Sequence, residues 1–330
     1  MAEWLYEAGI GESRAILVED GEIVEAAVEL PATLRAGTVA GGRLTAILVP
    51  GRRGIVTLEG GGEALLEPMP PRLTEGAAVR VEIVREAIPE PGRAKLAKCR
   101  HTDAQPSEGP DLLERLRANG FRVGEAPGHG LDRFEAAGWS ELLDEALTGE
   151  IAFPGGGLRM SLTPAMILFD VDGALAPAAL AQAGAAAAGR AIRRFGIGGS
   201  IGIDLPTLPA KGDRQAAAAA FDAVLPQPFE RTAVNGFGFL QLVRRRERAS
   251  IPELLQSDRI GAAARALLRR AERVGGSGTR SLHAPPAITA RLEENPDWLE
   301  ALARRTGCPV ALRAEPGLAI SAAYAHSEHP

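Results

Sequence analysis

The sequence predicts an α/β protein in the broad sense, with an α+β arrangement of several domains. These are a small β-barrel, then a mixed-sheet domain, then a small α/β module. Two observations lead to this prediction. Residues 36–104 hold about five short apolar runs separated by glycine-rich turns, a pattern typical of a small barrel. Residues 151–255 alternate apolar runs with alanine-rich helical stretches in the order β-α-β-α-β, which indicates a sheet covered by helices.

The first predicted domain, residues 1–104, begins with a β-hairpin. In residues 14–30, alternating apolar residues flank Asp20-Gly21, a favoured two-residue turn. The barrel that follows is OB-fold-like, and OB-folds often bind single-stranded nucleic acid by stacking bases on aromatic rings. Because this region has almost no aromatic residues, RNA binding and simple support of a neighbouring domain both stay open as roles for the barrel.

The rest of the chain is predicted to form a connector and two further domains. Residues 105–150 are predicted to be a short connector between two domains. The connector begins with the linker-like stretch "TDAQPSEGP". In residues 151–255, "AMILFD" and "SIGID" have the length and apolarity of buried strands, and an alanine-rich helix joins them. Residues 256–330 form the small α/β module, in which "GGSGTRS" is predicted to be a flexible joint.

Composition and charge narrow the function classes. The net charge of −5 argues against a general nucleic-acid coat. Residues 240–280 nevertheless hold ten arginines and four acidic residues, which predicts a local positive face for a polyanion.

Cys99 and Cys308 form no closely spaced pair, so we expect no zinc and a reducing, cytoplasmic location. The first residues lack a signal-peptide pattern and no apolar run suits a bilayer, so no membrane partner is expected.

Two aspartates mark the predicted active site. Asp170 and Asp204 each follow an apolar strand, and strands joined by a helical crossover are normally parallel and often adjacent. We therefore expect both carboxylates at the carboxyl edge of one sheet, where Mg²⁺, or Mn²⁺ as a substitute, relieves their repulsion. Asp172 is a third candidate metal ligand. The alternative is that these aspartates only cap the following helices or turns.

The stretch "ILFDVDGAL" also resembles the first motif of the phosphatases that use an aspartate nucleophile. That class needs a downstream lysine and an acidic pair behind a further strand. Lys211 is the only downstream lysine, it is predicted in a loop soon after Asp204, and no strand-borne acidic pair follows it. Ala174 stands where the motif usually has threonine. The sequence therefore disfavours phosphatase chemistry.

The same residues resemble the ribonuclease E/G family. "GEIAFPGGGLRMSLTPAMILFDVDG" is similar to that family's approach to its first catalytic aspartate, and "AAAAGRAIRRFGIGGSIGIDLPTL" to its helix and second aspartate. "ERTAVNGFGFLQLVRRRERASIPELL" resembles the strand after the active site. "PAITARLEENPDWLEALARRTGCPVAL" resembles the small C-terminal domain. The hairpin and barrel are similar to the family's first subdomains, but more weakly.

The resemblance implies a catalytic domain of DNase I-like fold in residues 151–255. It also implies that Asp170 and Asp204 are catalytic and hold Mg²⁺, and that the RNA products end in 5′-phosphate. For RNA binding we select Arg244, Arg245 and Arg246, whose planar guanidinium groups suit phosphates, together with Asn235 and Arg194. The arginine triplet is alternatively a solvated strand end, and Arg194 alternatively complements the helix dipole.

The departures from the family pattern predict a shortened member. Asp172 stands where the family usually has asparagine, and no cysteine pair exists to link subunits through zinc. The connector, residues 105–150, is much shorter than the family segment that includes the pocket for the RNA 5′-monophosphate. Gly236 occupies the position of an arginine that serves this pocket. We therefore expect the metal site without the 5′-end sensor.

The function predicted from the sequence is a Mg²⁺-dependent endoribonuclease that cleaves single-stranded RNA independently of the RNA 5′ end. The alternative is a non-catalytic RNA-binding or ribonuclease-associated protein descended from such an enzyme. A homo-oligomer without a zinc link is compatible with either prediction.

Overall fold

The computed structural model describes residues 3–31, 33–90, 94–126, 128 and 131–328. Its strands are β1 (Glu3–Ala8), β2 (Ser13–Glu19), β3 (Glu22–Glu29), β4 (Val39–Val49), β5 (Arg53–Leu58), β6 (Glu63–Leu66), β7 (Ala78–Arg85), β8 (Ala97–His101), β9 (Val123–Glu125), β10 (Glu150–Phe153), β11 (Gly156–Leu162), β12 (Ile167–Gly173), β13 (Gly199–Asp204), β14 (Glu230–Arg231), β15 (Phe239–Arg244), β16 (Thr279–Ala284), β17 (Val310–Ala314) and β18 (Tyr324–Glu328). Its helices are α1 (Leu112–Ala118), α2 (Arg133–Ala136), α3 (Trp139–Thr148), α4 (Pro177–Arg194), α5 (Lys211–Asp222), α6 (Ile251–Ser257), α7 (Arg259–Arg273), α8 (Pro286–Glu293) and α9 (Pro296–Thr306), with a 3₁₀ turn at Ile320–Ala322.

The chain divides into two compact units, each assembled from separate stretches of sequence. Unit 1 contains Met1–Pro31, Leu116–Leu143 and Leu254–Pro330, and unit 2 contains Ala32–Arg115 and Asp144–Glu253. This division differs from the linear boundaries predicted from composition, because the N-terminal hairpin belongs to unit 1 and the barrel to unit 2. A unit built from distant stretches leaves no boundary that local composition can reveal.

A closed barrel forms the first part of unit 2, with the strand order β4-β5-β6-β8-β7. Its neighbouring strands are antiparallel except for β6 and β8, which are parallel. Leu44, Val56 and Val81 are fully buried in its core. At Gly54 a Cβ atom would lie 2.6 Å from Leu44 Cδ1, so glycine lets the leucine fill the interior. The predicted small barrel is confirmed as a closed five-stranded barrel, which is compatible with an OB-like region.

A mixed six-stranded sheet forms the second part of unit 2, in the order β10-β11-β12-β13-β15-β14. β12 and β13 are parallel and are joined by α4, while the other neighbours are antiparallel. α4 packs closely on β12, because a Cβ at Gly184 would come within 2.4 Å of Val171 Cγ1. The predicted mixed α/β character is confirmed, and the β10–β11 hairpin extends the sheet beyond the predicted strands.

The predicted N-terminal hairpin is confirmed in unit 1. β2 and β3 pair antiparallel, and the sheet order is β3-β2-β1-β9. Asp20 and Gly21 have φ angles of 53° and 88°, the left-handed values that a type I′ hairpin turn requires at both central positions. The dipeptide at this turn therefore fixes the local chain reversal.

The C-terminal residues of unit 1 form a three-stranded sheet, β17-β16-β18, that packs with α7, α8 and α9. Leu282, Ala284 and Leu302 are fully buried in this core. The predicted flexible joint is wrong in its last part, because Arg280 and Ser281 are buried residues of the central strand β16. No described helix combines the length and apolar character that are needed to cross a bilayer.

Buried ion pairs also correct the positive face predicted for residues 240–280. In α7, Arg265 and Arg269 are each 4% exposed and Arg273 is half-buried, whereas Arg259 and Arg270 are exposed. The carboxylate partners of Arg265, Arg269 and Arg273 come from distant parts of the sequence. These pairs are Arg265 with Glu12, Arg269 with Asp132, and Arg273 with Glu7 and Asp132. Much of the local positive charge is therefore balanced within unit 1 and is not presented as a surface.

Candidate active site

Asp170 and Asp204 lie side by side on the six-stranded sheet. Residues 167–170 of β12 pair in parallel with residues 201–204 of β13, and Asp170 is the direct register partner of Asp204. Neighbouring strands lie about 4.8 Å apart, and direct partners project from the same face of a sheet. The two aspartates are therefore neighbouring residues on adjacent strands at the end of β13, and their joint role in metal binding stays a prediction.

The alternation of β12 separates its apolar side chains from its acidic ones. Ile167, Phe169 and Val171 are buried, whereas Asp170 and Asp172 are exposed. The strand continues beyond Asp170 because β11 pairs with it along its whole length, as far as Gly173. Asp170 therefore lies within a strand that has a neighbour on each side, which holds its backbone rigidly.

The electrostatic arrangement at the aspartate pair fits a divalent cation. Asp170 and Asp204 are exposed, and their carboxylates have neither a hydrogen-bond partner nor an ion-pair partner among the described residues. Two adjacent carboxylates repel each other unless a cation or a shared proton intervenes. Mg²⁺ and Mn²⁺ favour oxygen ligands, so this donor set suits either ion.

Asp172 is not brought together with the pair in the way that the sequence predicted. It lies on the same face as Asp170, but its Oδ1 accepts a hydrogen bond of 2.8 Å from the backbone N–H of Gly173. Within the part of the chain that is described, the three aspartates do not form a set of ligand atoms within 4.8 Å of one another. A contact between Asp172 and the metal through water stays a prediction.

Arg159 is a site residue that the sequence analysis missed. It is the register partner of Asp170 on β11, so it lies beside the carboxylate pair on the same face of the sheet. Its side chain is exposed and donates a hydrogen bond of 3.0 Å to Glu150 on β10. The alternation of "GGLRMSL" is the signal that could have found it, because such a pattern predicts a strand next to β12.

One aromatic residue of β15 pairs with Asp204, and a second lies in the turn just before that strand. Phe239 is the register partner of Asp204 on β15, and its ring lies over Gly202, where a Cβ would be 2.5 Å from Phe239 Cζ. Phe237, in the turn before β15, is 83% exposed. Asn235 organises this turn, because its Oδ1 accepts hydrogen bonds from the N–H groups of Phe237 and Phe239 at 2.9 and 3.0 Å. The structure thus brings Asn235 to the aspartate edge, with its side-chain oxygen engaged in the turn.

The predicted RNA-binding triplet, Arg244, Arg245 and Arg246, lies at the other end of the sheet. Arg244 pairs in register with Gly199, the first residue of β13, whereas Asp204 is the last. This spacing corresponds to roughly 17 Å along the strand at about 3.3 Å per residue. The structure therefore does not bring the triplet together with the aspartates.

The three arginines also make separate contacts. Arg244 Nη1 donates to the backbone oxygen of Ile197 at 3.2 Å. The side chain of Arg245 is 77% exposed and pairs with Glu247 at 2.9 Å, whereas Arg246 is largely buried and pairs with Glu253. The triplet is not a single phosphate site in this arrangement, and RNA binding by its members stays a prediction.

Arg194 lies at the end of α4, away from the aspartates. α4 starts after the carboxyl end of β12 and returns to the start of β13, so its last residue is at the opposite edge of the sheet. Arg194 pairs with Glu145, and its guanidinium carbon lies 5.0 Å from the centre of the Phe195 ring. These contacts hold Arg194 against other residues of unit 2, and RNA binding by Arg194 stays a prediction.

A basic cleft of about 350 Å³ lies between α5 and residues 231–234 of the same unit. Lys211, Arg214 and Arg231 line it. Arg231 hydrogen-bonds Asp222, and this interaction raises the pKa of the Arg231 guanidinium. Lys211 was predicted in a loop but begins α5, the helix that follows β13 along the chain. Lys211 and Arg214 therefore place two cationic groups on α5, the helix that follows Asp204. Sequence reasoning did not select these two residues as site residues.

In comparisons with known proteins, no family model matches the chain and no curated protein matches it in sequence. The resemblance to the ribonuclease E/G family therefore stays a prediction from the motifs.

Proposed function

We propose that the protein is a Mg²⁺-dependent endoribonuclease of the ribonuclease E/G type that cleaves single-stranded RNA. The observation that supports this most strongly is the direct register pairing of Asp170 and Asp204, both exposed and both without a cationic partner among the described residues. When bound there, Mg²⁺ supplies charge stabilisation at the phosphodiester and an acidified water molecule. In this proposal the mixed sheet belongs to a DNase I-like domain, and the barrel belongs to the OB-fold class.

The residues around the pair have chemistry that suits an RNA backbone. Asp170 and Asp204 hold the cation through carboxylate oxygens. Arg159, in register with Asp170, offers a planar guanidinium that can bind a non-bridging phosphate oxygen when it exchanges its bond to Glu150. A guanidinium at that position also stabilises the negative charge that develops as the phosphodiester is displaced.

The aromatic residues beside Asp204 favour a single-stranded substrate. Phe237 is 83% exposed and Phe239 lies in register with Asp204, so the bases on either side of a bound phosphate have rings on which to stack. In a duplex the bases already stack on each other and their faces are not accessible. Single-stranded RNA is therefore the substrate class that we infer.

The proposal includes cleavage that does not depend on the RNA 5′ end. Gly236 occupies the position of the arginine that the resemblance assigns to the end-sensing pocket, and a Cβ there would meet no atom within 4 Å. The glycine offers a phosphate only its backbone N–H, whereas a terminal dianion requires several donors.

The test is a cleavage assay with the purified full chain. A 5′-labelled unstructured RNA, the same strand in a duplex, and a DNA strand of equal sequence are each incubated with Mg²⁺, with Mn²⁺ and with a chelator. We expect cleavage of the unstructured RNA in either metal, products that carry 5′-phosphate, and no cleavage in chelator. Binding of this RNA without cleavage in both metals would refute the enzyme and favour the non-catalytic RNA-binding alternative.

A further inference from the structure

The outer face of the C-terminal three-stranded sheet in unit 1 carries two histidines and a glutamate that sequence reasoning did not select. β16 and β18 are antiparallel, with Ser281 opposite His326 and His283 opposite Tyr324. Because alternate residues of a strand share a face, His283, His326 and Glu328 all project from the same side of the sheet. The opposite side carries Leu282, which is buried in the core of unit 1.

The three side chains converge. The ring of His283 stacks on Tyr324, with centroids 4.7 Å apart and planes 8° apart, and on His326, with centroids 4.8 Å apart and planes 28° apart. One ligand atom from each of His283, His326 and Glu328 lies within 4.8 Å of the other two. The side chain of His283 is 14% exposed, whereas those of His326 and Glu328 are 45% and 39% exposed and accessible to an ion from solvent.

Neighbouring groups orient the candidate ligands. Nδ1 of His283 pairs with the carboxylate of Glu315, which also accepts a hydrogen bond of 3.3 Å from the Tyr324 hydroxyl. Nε2 of His283 is buried and has no hydrogen-bond partner among the described residues. Metal-binding histidines commonly use one ring nitrogen for a carboxylate and the other for the ion. Ser281 Oγ donates to Glu328 Oε1 at 2.5 Å and fixes the orientation of that carboxylate.

We propose that His283, His326 and Glu328 bind one divalent transition-metal ion, with Zn²⁺ as the ion that best suits two imidazoles and a carboxylate. Ligand atoms around Zn²⁺ lie roughly 3.3 Å apart, given metal–ligand distances of about 2.0 to 2.2 Å. Ion binding would require side-chain rotations that shorten the present spacing, within 4.8 Å, and turn the stacked imidazole rings so that a nitrogen of each points at the ion. Three protein ligands leave a coordination position for water.

This site is chemically distinct from the aspartate pair and from a cysteine-based zinc link. Imidazole nitrogen favours transition metals, whereas Mg²⁺ favours oxygen ligands, so Mg²⁺ does not compete here. The absence of a close cysteine pair, which led us to expect no zinc, does not bear on a histidine and glutamate site. A bound ion bridges β16 and β18, so it stabilises unit 1 whether or not the protein cleaves RNA.

The test uses the full chain without an affinity tag, stripped with a chelator and then dialysed. Titration with Co²⁺ followed by visible absorbance, and with Zn²⁺ followed by calorimetry, gives the number of ions bound and their affinity. With millimolar Mg²⁺ present to fill the proposed Asp170 and Asp204 site, we expect one Co²⁺ per chain at the histidine site and its displacement by Zn²⁺. We also expect a thermal midpoint raised by about 5 °C at a hundredfold excess of Zn²⁺ over Kd.

Three variants make the test specific. His326→Ala and His283→Ala are each expected to weaken Co²⁺ binding at least tenfold and to remove the thermal shift. His101→Ala, which changes an exposed histidine of the barrel, is the matched control and is expected to bind as wild type. The metal-free midpoint of each variant separates loss of binding from loss of folding. Failure of wild type to bind Co²⁺ below about 100 µM, or equal binding by the folded His326→Ala variant, would overturn the proposal.

Discussion

Two exposed carboxylate residues are direct neighbours at the edge of the six-stranded sheet. Two unit charges about 4.8 Å apart repel each other by about 1 kcal/mol in bulk water and by ~3 kcal/mol at the effective dielectric constant of a protein surface. Asp170 and Asp204 face this repulsion directly, since they are register partners. Such an arrangement is unfavourable by itself and becomes favourable when a divalent cation binds.

Replacing either aspartate is therefore expected to stabilise the metal-free protein. Asp170→Asn and Asp204→Asn each remove one of two repelling charges from exposed positions, so we expect the free energy of unfolding in chelator to rise by about 0.5 to 1 kcal/mol. Millimolar Mg²⁺ is expected to stabilise wild type but neither variant. Urea unfolding with and without Mg²⁺ measures both effects. The exposed Asp103→Asn change in the barrel is the control, and a loss of stability in both site variants would contradict the repulsion account.

A second residue-scale prediction concerns Phe237. Stacking of one base on an aromatic side chain contributes about 1 to 3 kcal/mol. Phe237→Ala is therefore expected to weaken binding of a labelled single-stranded RNA about tenfold, as measured by fluorescence anisotropy at fixed salt. The ring is 83% exposed, so the thermal midpoint should hardly change. The control variant Phe121→Ala lacks another exposed phenylalanine and should bind RNA with the affinity of wild type. If the Phe237→Ala and Phe121→Ala variants bind RNA equally well, Phe237 does not belong to the RNA-binding site.

Among the elements, those with local signals could be predicted from the sequence. The type I′ turn at Asp20-Gly21 reveals the hairpin, and the apolar strands joined by an alanine-rich helix reveal the parallel pair β12 and β13. The positions of Arg159 and Arg244 could not be predicted in this way. They depend on the register with which β11 and β15 pair with β12 and β13, and register is set by non-local packing.

Burial of charged residues was equally inaccessible to local reasoning. The arginine count of residues 240–280 predicts a positive face. In the structure, however, the side chains of Arg265 and Arg269 on α7 are buried in the interior of unit 1. Their partners Glu12 and Asp132 are more than a hundred residues away along the chain. A charge count does not identify such partners, because only the folded chain brings them together.

The segment that follows β15, which contains Arg245 and Arg246, leads to a third prediction. Arg246 and Glu253 are largely buried partners, and Glu253 also accepts hydrogen bonds from the N–H and hydroxyl of Ser250. Arg246→Ala leaves that carboxylate without its cation and is expected to cost about 3 kcal/mol of stability. Arg245→Ala, at an exposed position, should change stability by less than ~0.5 kcal/mol. Urea midpoints compare the two variants, and equal midpoints would refute the assigned contacts.

At the scale of the whole molecule, the chain builds each compact unit from stretches that are far apart in sequence. Unit 2 carries both the barrel and the aspartate pair, and unit 1 carries the proposed histidine and glutamate metal site. Linker composition could not reveal this arrangement, because the chain passes between the units several times. The proposed nuclease chemistry and the proposed transition-metal site therefore belong to different units and can be tested separately.

The fourth prediction concerns how the whole molecule selects a cleavage site. In the proposed function, Gly236 replaces the arginine of the end-sensing pocket, so we expect binding energy from the RNA end to make no contribution to cleavage. We expect 5′-monophosphate, 5′-hydroxyl and circular forms of one RNA to be cleaved at initial rates within roughly threefold of one another, about 0.7 kcal/mol of barrier difference. The rates are compared at sub-saturating substrate. A tenfold preference for the monophosphate would indicate that another part of the chain recognises the RNA end.

The most direct test of the proposed function compares Mg²⁺-dependent cleavage of one labelled, unstructured RNA by wild type, Asp170→Asn, Asp204→Asn and the control Asp103→Asn. We expect each site variant to lose at least about a hundredfold in initial rate, because each removes a charged ligand of the proposed catalytic cation. The control should cleave within about twofold of wild type, and thermal midpoints should show that all four proteins are folded. Near wild-type cleavage by both Asp170→Asn and Asp204→Asn would refute the proposed metal site.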